Sequence, residues 1–226
     1  MQPLGGAPES ALDGPAAAGL PATAPAAPWT CRCDAIVWFA RPPSTRRLAA
    51  GAGGQLPGRP LLVAGALISY ADSPVGPYHE VLGLLAGFDR RGPVATVPFI
   101  AVDSAASLVG GRQNWALPKA FAHFHGGSMA AAGGGPMTAA GAGWTVTATA
   151  TAGGPAVPVR LAGRLRQRWP DGGWRSAGLA GRARAHPALV RVTVASAGPL
   201  AGWLRPGRHP GMLLRQAEFS LAAPDG

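Results

Sequence analysis

The chain has 226 residues, 47% hydrophobic and only 13% charged, with 34 glycines and 24 prolines. That length holds one domain with a substantial core, and the glycine and proline load excludes long helices in favour of strands joined by many turns. The formal charge of +10 invites a nucleic-acid reading, but the arginines from Arg160 to Arg191 alternate with apolar residues as on an exposed strand face, and no zinc-finger or RNA-binding signature accompanies them. A positive field that draws in small anionic substrates is the more economical use of the charge.

Residues 1–28 are rich in Ala, Pro and Gly, carry Glu9 and Asp13, and lack both a basic start and a continuous apolar run. They read as a disordered tail rather than a signal peptide, ahead of one domain over residues 29–226. No run reaches membrane-spanning length, so the chain is expected in the cytoplasm with no membrane partner. Cys31 and Cys33 are read as pointing to opposite faces of a strand, unbridged, as small core or surface residues of a reducing compartment. Residues 33–39 predict a strand ended by Arg41-Pro42-Pro43, residues 49–60 a Gly-rich loop, and residues 60–70 a buried strand. The turn Asp72-Ser73-Pro74-Val75-Gly76-Pro77 leads to a strand over 78–85, and Arg90-Arg91-Gly92 makes a hairpin-like connection to a strand over 94–102. A short helix is predicted over 103–111, with Asp103 or Ser104 as its cap and the Gly110-Gly111 pair as its stop. Residues 130–143 read as a low-complexity loop, followed by strands over 144–150, 157–169, 189–194 and 212–221. The sum is a mainly β (α+β) single domain: a curved, barrel-like antiparallel sheet with a few short helices. The glycines at 51–54 lack the Lys-Ser/Thr ending of a phosphate loop.

Of the 20 cationic residues only one is lysine, Lys119, in the string Gly111-Arg112-Gln113-Asn114-Trp115-Ala116-Leu117-Pro118-Lys119. Arginine serves wherever a surface charge is enough, but it cannot replace lysine where a neutral, nucleophilic amine is required. Lys119 is therefore the candidate reactive amine, set against the chance retention of one surface lysine. A free lysine is neutral in only about one molecule in 2,500 at pH 7, and lowering its pKa to ~7 means destabilising the ammonium by about 4–5 kcal/mol. Burial against Trp115, Leu117 and Pro118 is one means of doing so. Glu80, in Tyr78-His79-Glu80, is the candidate acid–base partner, set against a plain surface strand glutamate. Tyr78 reads first as packing, and His79 faces away from Glu80. Arg112 either pairs with a group inside the fold or orients an anionic substrate. His123 and His125 share a strand face but have no Cys, Asp or Glu close in sequence to complete a site, so no metal is expected.

The two segments Gly76-Pro77-Tyr78-His79-Glu80 and Gly111-Arg112 through Pro118-Lys119, at this spacing, resemble the acetoacetate decarboxylase superfamily, most clearly over residues 68–122. That family carries a Tyr-x-Glu segment, two strands, and a Gly-Arg-Glu…Pro-Lys segment whose lysine forms a Schiff base; acetoacetate decarboxylase is itself the standard example of a lysine activated by an apolar pocket or a neighbouring cation. The resemblance implies a cofactor-free Schiff-base lyase acting on a β-keto acid or related carbonyl compound, with Lys119 as the imine-forming amine and Glu80 as the acid–base group. It places Arg112, Tyr78 and Trp115 around a small-molecule keto-acid substrate, with no nucleic-acid partner, in a homo-oligomer. Aldolase or dehydratase chemistry through the same lysine, and a non-catalytic ligand-binding member of the fold, are the alternatives.

The chain departs from the family at four places. The second lysine after the proline is here Ala120, and the Glu after Gly-Arg is Gln113. The family's second pocket glutamate falls near Gly65 or Ala66, where no acid stands, and Arg32 lies one position out of register with the family's first-strand arginine, hence on the other face. With no second lysine beside it, Lys119 depends on burial for its activation. The ends of Glu80 and Lys119 should lie on the order of 3–7 Å apart in one mostly apolar cavity. Arg112 should donate a charge-assisted hydrogen bond to an acidic side chain or backbone carbonyls. Lys119 should be buried with no close carboxylate, because a tight pair holds the amine as ammonium.

Overall fold

The computed structural model describes residues 4–12, 18–55, 59–126 and 135–225. In chain order the elements are β1 (Trp29–Ala40), α1 (Thr45–Ala52), β2 (Leu62–Asp72), β3 (Tyr78–Asp89), β4 (Gly92–Val102), α2 (Ala105–Trp115), β5 (Lys119–Phe121), β6 (His123–Gly126), β7 (Met137–Gly141), β8 (Trp144–Ala152), β9 (Val157–Arg168), β10 (Trp174–Ser196), α3 (Leu200–Leu204) and β11 (Gly207–Pro224). The strands form one sheet in the order β11-β1-β2-β3-β4-β9-β10-β8-β7-β6, with β5 set against β4. The sheet curves so strongly that β10 also pairs with β11, the strand at which this order begins. The expected mainly β, curved architecture is the one found. It is not wholly antiparallel: β4 runs parallel to β5 and to the middle of β9. The first parallel pair is explained by its connection, because a parallel neighbour needs a crossover and α2 supplies it.

Period-two burial divides the apolar residues into two layers. On one face, Cys31 and Cys33 of β1, Ile68 and Tyr70 of β2, Tyr78 of β3 and Val102 of β4 pack with Leu108, Val109 and Trp115 of α2. On the other, Ile36, Trp38, Leu67, Val81 and Phe99 pack with Trp144 and Val146 of β8 and Trp203 of α3. The two cysteines are therefore on the same face, contrary to the expectation, because residues i and i+2 of a strand point the same way. They are free, as expected.

Several expectations of local structure need correction. Helix α1 begins inside the predicted β1–β2 connection and takes in the first residues of the predicted Gly-rich loop. Leu48, Gly51 and Ala52 form its buried face, and Gly51 sits so close to Trp203 that a Cβ there would lie 2.2 Å from the indole. Residues 56–58 of the predicted loop are outside the described residues, as are 130–134 of the predicted loop over 130–143. The latter region instead contains β7, whose small residues pair with both β6 and β8. The predicted strand over 189–194 is the end of a 23-residue strand, β10. Pro187 lies inside it, where β10 has left β9 at Ala185 and takes up β8 at Ala188, so its missing N–H interrupts neither ladder.

The N-terminal stretch expected as a disordered tail also differs where it is described. Ala7 N donates to Pro98 O at 2.7 Å, and the Ser10 hydroxyl accepts from Ile100 N at 3.1 Å, completing backbone groups of β4. The Glu9 carboxylate accepts from the Ser196 hydroxyl and from Leu200 N. These contacts use backbone and short polar groups, which a composition count cannot register. Among the described residues no helix is long and apolar enough to cross a membrane.

Candidate functional site

The site lies on the α2 side of the sheet. Glu80 is on β3 opposite Ile68 of β2, and Tyr78 lies opposite Tyr70; the two tyrosine rings stack with centroids 4.2 Å apart. Helix α2 starts at Ser104, whose hydroxyl accepts from Ser107 N at 3.2 Å. It does not stop at the glycine pair but continues to Trp115, and Ala116, at φ 52°, ends it in the left-handed region. The glycines are there for packing. A Cβ on Gly110 would sit 2.4 Å from the Trp29 ring, and one on Gly111 would sit 2.6 Å from Cδ and Cε of Lys119. The lysine chain thus lies directly across the helix at Gly111 before its amine reaches the interior.

There the Lys119 Nζ donates to Glu80 Oε2 at 2.7 Å and to the Ser107 hydroxyl at 2.9 Å. Both side chains of the ion pair are 4% exposed. The Tyr70 hydroxyl donates to the other carboxylate oxygen, Glu80 Oε1, at 3.0 Å. Tyr78 presents its ring 5.3 Å from the ammonium, within cation–π range. Burial first, and the negative charge of Glu80 second, hold the Tyr70 and Tyr78 phenols well above their ordinary pKa, so both keep their protons. Arg112 donates from Nη1 to Lys119 O at 2.7 Å, tying helix to strand, while its buried Nε has no partner among the described residues. Burial also lowers the guanidinium pKa. Trp115 packs edge-on to Trp29 and donates to Ala222 O at 2.7 Å, anchoring α2 to β11.

Glu80 and Lys119 therefore meet, but closer than expected and as a pair. The expectation that Lys119 has no close carboxylate is wrong: in a dry interior an isolated ammonium is very costly, and Glu80 is its counter-charge. Neither residue borders an outer cleft of about 850 Å³, which is bounded by residues such as Arg32, Asp34, His79 and His125. Arg32 points outward and pairs with Asp72, as its register implied. Ala120 belongs to the opposite apolar layer with Phe99 and Trp144, so a lysine there would enter that layer rather than stand beside Lys119. His79 pairs with Asp103 on the outer face, and His123 and His125 are exposed.

Ser107 and Tyr70 are the site residues that sequence reasoning missed. Ser107 lies four residues before Gly111, one helical turn away on the same face, but its role depends on the Lys119 chain crossing at Gly111, a packing contact that the predicted helix alone does not give. Tyr70 was legible only through its register with Tyr78. The Arg112 tie has a direct test. Arg112→Lys should lower stability by about 1–3 kcal/mol, since an ammonium cannot keep the guanidinium's planar fork on the Lys119 carbonyl. An unchanged melting temperature would make the residue a bystander.

The cysteines also border this site. Burial, with a further push from Glu80, raises both thiols from an ordinary 9.0 to about 12. That cuts the thiolate fraction at pH 8 roughly a thousandfold. Iodoacetamide at pH 8 should thus modify Cys31 and Cys33 in denaturant and leave them intact in the folded protein, read by mass spectrometry. The same shift makes folding stability fall between about pH 9 and pH 12, because the unfolded chain loses these two protons first.

Comparison with known proteins places the fold. Residues 56–171 match the family model described as acetoacetate decarboxylase. Among solved structures, acetoacetate decarboxylase from Legionella pneumophila superposes with a TM-score of 0.59 at 14% identity, covering 90% of this chain and 88% of that one. The enduracididine biosynthesis enzyme MppR, complexed with pyruvate, gives 0.61 at 15% identity, covering 100% and 98%. An acetoacetate decarboxylase-like enzyme from Sphingomonas wittichii RW1 gives 0.59 at 16% identity, covering 88% and 92%. No curated protein matches the sequence significantly.

Proposed function

Because the chain belongs to the acetoacetate decarboxylase family, we propose that it is a Schiff-base enzyme in which Lys119 is the imine-forming amine and Glu80 the proton carrier. The observation that carries this reading is the buried 2.7 Å contact between the chain's sole lysine and Glu80. In this reading one proton moves across that hydrogen bond, taking the pair from ammonium with carboxylate to neutral amine with carboxylic acid. The second form is the nucleophile. Its amine attacks the keto carbon of a β-keto acid, and the carbinolamine loses water, with Glu80 giving up its proton, to form the iminium. The bond to the carboxylate carbon then breaks, CO₂ leaves, and the electron pair moves to the iminium nitrogen to give an enamine. Protonation at carbon and attack by water release the ketone and restore the amine. Tyr70 leaves Oε2 as the carboxylate oxygen facing the amine, and Ser107 fixes the direction of the Nζ hydrogens.

A second reading keeps the iminium and replaces the decarboxylation step. The other buried cation beside the site is Arg112, and Ala120 turns into the opposite layer, so substrate handling here need not be that of a decarboxylase. MppR has been solved with pyruvate and with the condensation product of pyruvate and imidazole 4-carboxaldehyde. An aldol-type condensation through Lys119 is the corresponding proposal for this chain.

The test is borohydride reduction in the presence of acetoacetate or pyruvate. With one lysine in the chain, a single reduced adduct should appear in the intact mass and map to the peptide containing Lys119. Release of acetone and CO₂ from acetoacetate selects decarboxylation. An adduct without CO₂, and consumption of an added aldehyde with pyruvate, select condensation. Adduct only at the N-terminal amine, or none, would reject both.

A further inference from the structure

A second charged site lies at the far end of β4 from Ile100, the residue that pairs with Lys119. Roughly 20 Å along the strand from Ile100, the β3–β4 hairpin meets β9 and the start of β10 around a cleft of about 410 Å³. Its walls carry five arginines, Arg90, Arg91, Arg164, Arg166 and Arg175, against two carboxylates, Asp89 and Asp225. Strand geometry brings them together. Arg164 and Arg166 are two apart on β9 and share a face, Arg166 lies opposite Ser176 of β10, and Val94 next to the hairpin pairs with Arg164.

Two of the five are already engaged. Arg164 pairs with Asp89, and Arg175 pairs with Asp171 while stacking 4.2 Å from the Trp169 ring. Arg166 lies over the Trp174 ring at 5.4 Å, which orients its guanidinium without neutralising it. Among the described residues Arg90, Arg91 and Arg166 make no ion pair. The fold thus gathers three guanidinium groups that make no ion pair into one concavity, where Asp89 acts on Arg166 only through its electrostatic field, and a bound anion would relieve the repulsion that remains.

We infer that this cleft is a binding site for an oligophosphate, a di- or triphosphate chain held by Arg90, Arg91 and Arg166. The guanidinium fork matches the spacing of phosphate oxygens and binds them in bidentate fashion, and three forks ask for more than one phosphate group. The volume fits a small ligand rather than a polymer. Trp174, the aromatic residue lining the cleft, already carries Arg166 over its ring, which competes with the base stacking that single-stranded nucleic acid uses.

Isothermal titration with pyrophosphate and tripolyphosphate, at matched ionic strength against chloride and sulfate, tests this on the full chain. Tripolyphosphate should bind at least 10-fold more tightly than sulfate. Arg166→Gln and the double variant Arg90→Gln/Arg91→Gln should each weaken it about 10-fold or more, while Arg47→Gln and Arg46→Gln/Arg47→Gln on α1, which match those one- and two-charge losses elsewhere, should leave it unchanged. ADP in place of pyrophosphate separates sources: equal affinity assigns the phosphate chain alone, and a clear gain adds a nucleoside contact. Equal weakening in all variants, or affinity that tracks ionic strength alone, would show a response to net charge and overturn the site.

Discussion

Lys119→Arg should leave the protein folded and positively charged at its centre, and should abolish the borohydride-trapped adduct and any release of CO₂. Guanidinium stays protonated in proteins, so the variant keeps a cation opposite Glu80 and loses the only side-chain amine of the chain. Lys119→Met makes the complementary control. It also lacks the amine, but it strands the Glu80 carboxylate in a site where both partners are 4% exposed, at a cost of about 3–5 kcal/mol. Together the two variants separate nucleophile from counter-ion: both should be inactive, and only the second should melt early. An adduct of undiminished yield in Lys119→Arg would place the chemistry on another amine and end the proposal for this site.

How far the sequence could be read depends on the range of the interactions. Strand periodicity and turn residues are local, so most of the strand segments, the mainly β class and the outward face of Arg32 were legible. The Tyr78-His79-Glu80 and Arg112-to-Lys119 strings pointed to which residues converge through their resemblance to the acetoacetate decarboxylase family. The length of α2 was misjudged because Gly110 and Gly111 look like a stop, whereas their missing Cβ atoms make room for Trp29 and Lys119, partners distant in the chain or beyond the turn. The packing of Ala7, Glu9 and Ser10 was invisible for a similar reason: their partners are around 90 or more residues away. The unexpected pairing of Lys119 with Glu80 is a matter of charge balance. A reading based on desolvation alone asks what lowers the amine's charge and overlooks what a buried ammonium requires while it still has one.

That balance gives the second large effect. Glu80→Leu alone should cost about 3–5 kcal/mol, because it leaves the Lys119 ammonium buried without a counter-charge, with the Ser107 hydroxyl and the Tyr78 ring beside it. The double variant Glu80→Leu/Lys119→Met should recover to wild-type stability or exceed it by about 1–4 kcal/mol, since a packed apolar pair avoids desolvating either charge. Chemical denaturation of the four proteins gives the coupling directly. Strictly additive losses would mean that the pair is not formed in solution. Glu80→Gln asks the catalytic question with the shape preserved. The amide still accepts from Tyr70 but cannot take the lysine's proton, so the rate of adduct formation should fall about 10²–10⁴-fold. A final yield that still approaches completion would then show that Lys119 keeps its reactivity while losing its proton acceptor. An unchanged rate would assign proton transfer to a different group, and the nearest candidates are Ser107, at 2.9 Å from the amine, and Tyr78, whose ring lies 5.3 Å away. A stability gain in the double variant together with slow trapping in Glu80→Gln would identify a pair that is maintained at the expense of stability because the chemistry needs a proton acceptor 2.7 Å from the amine.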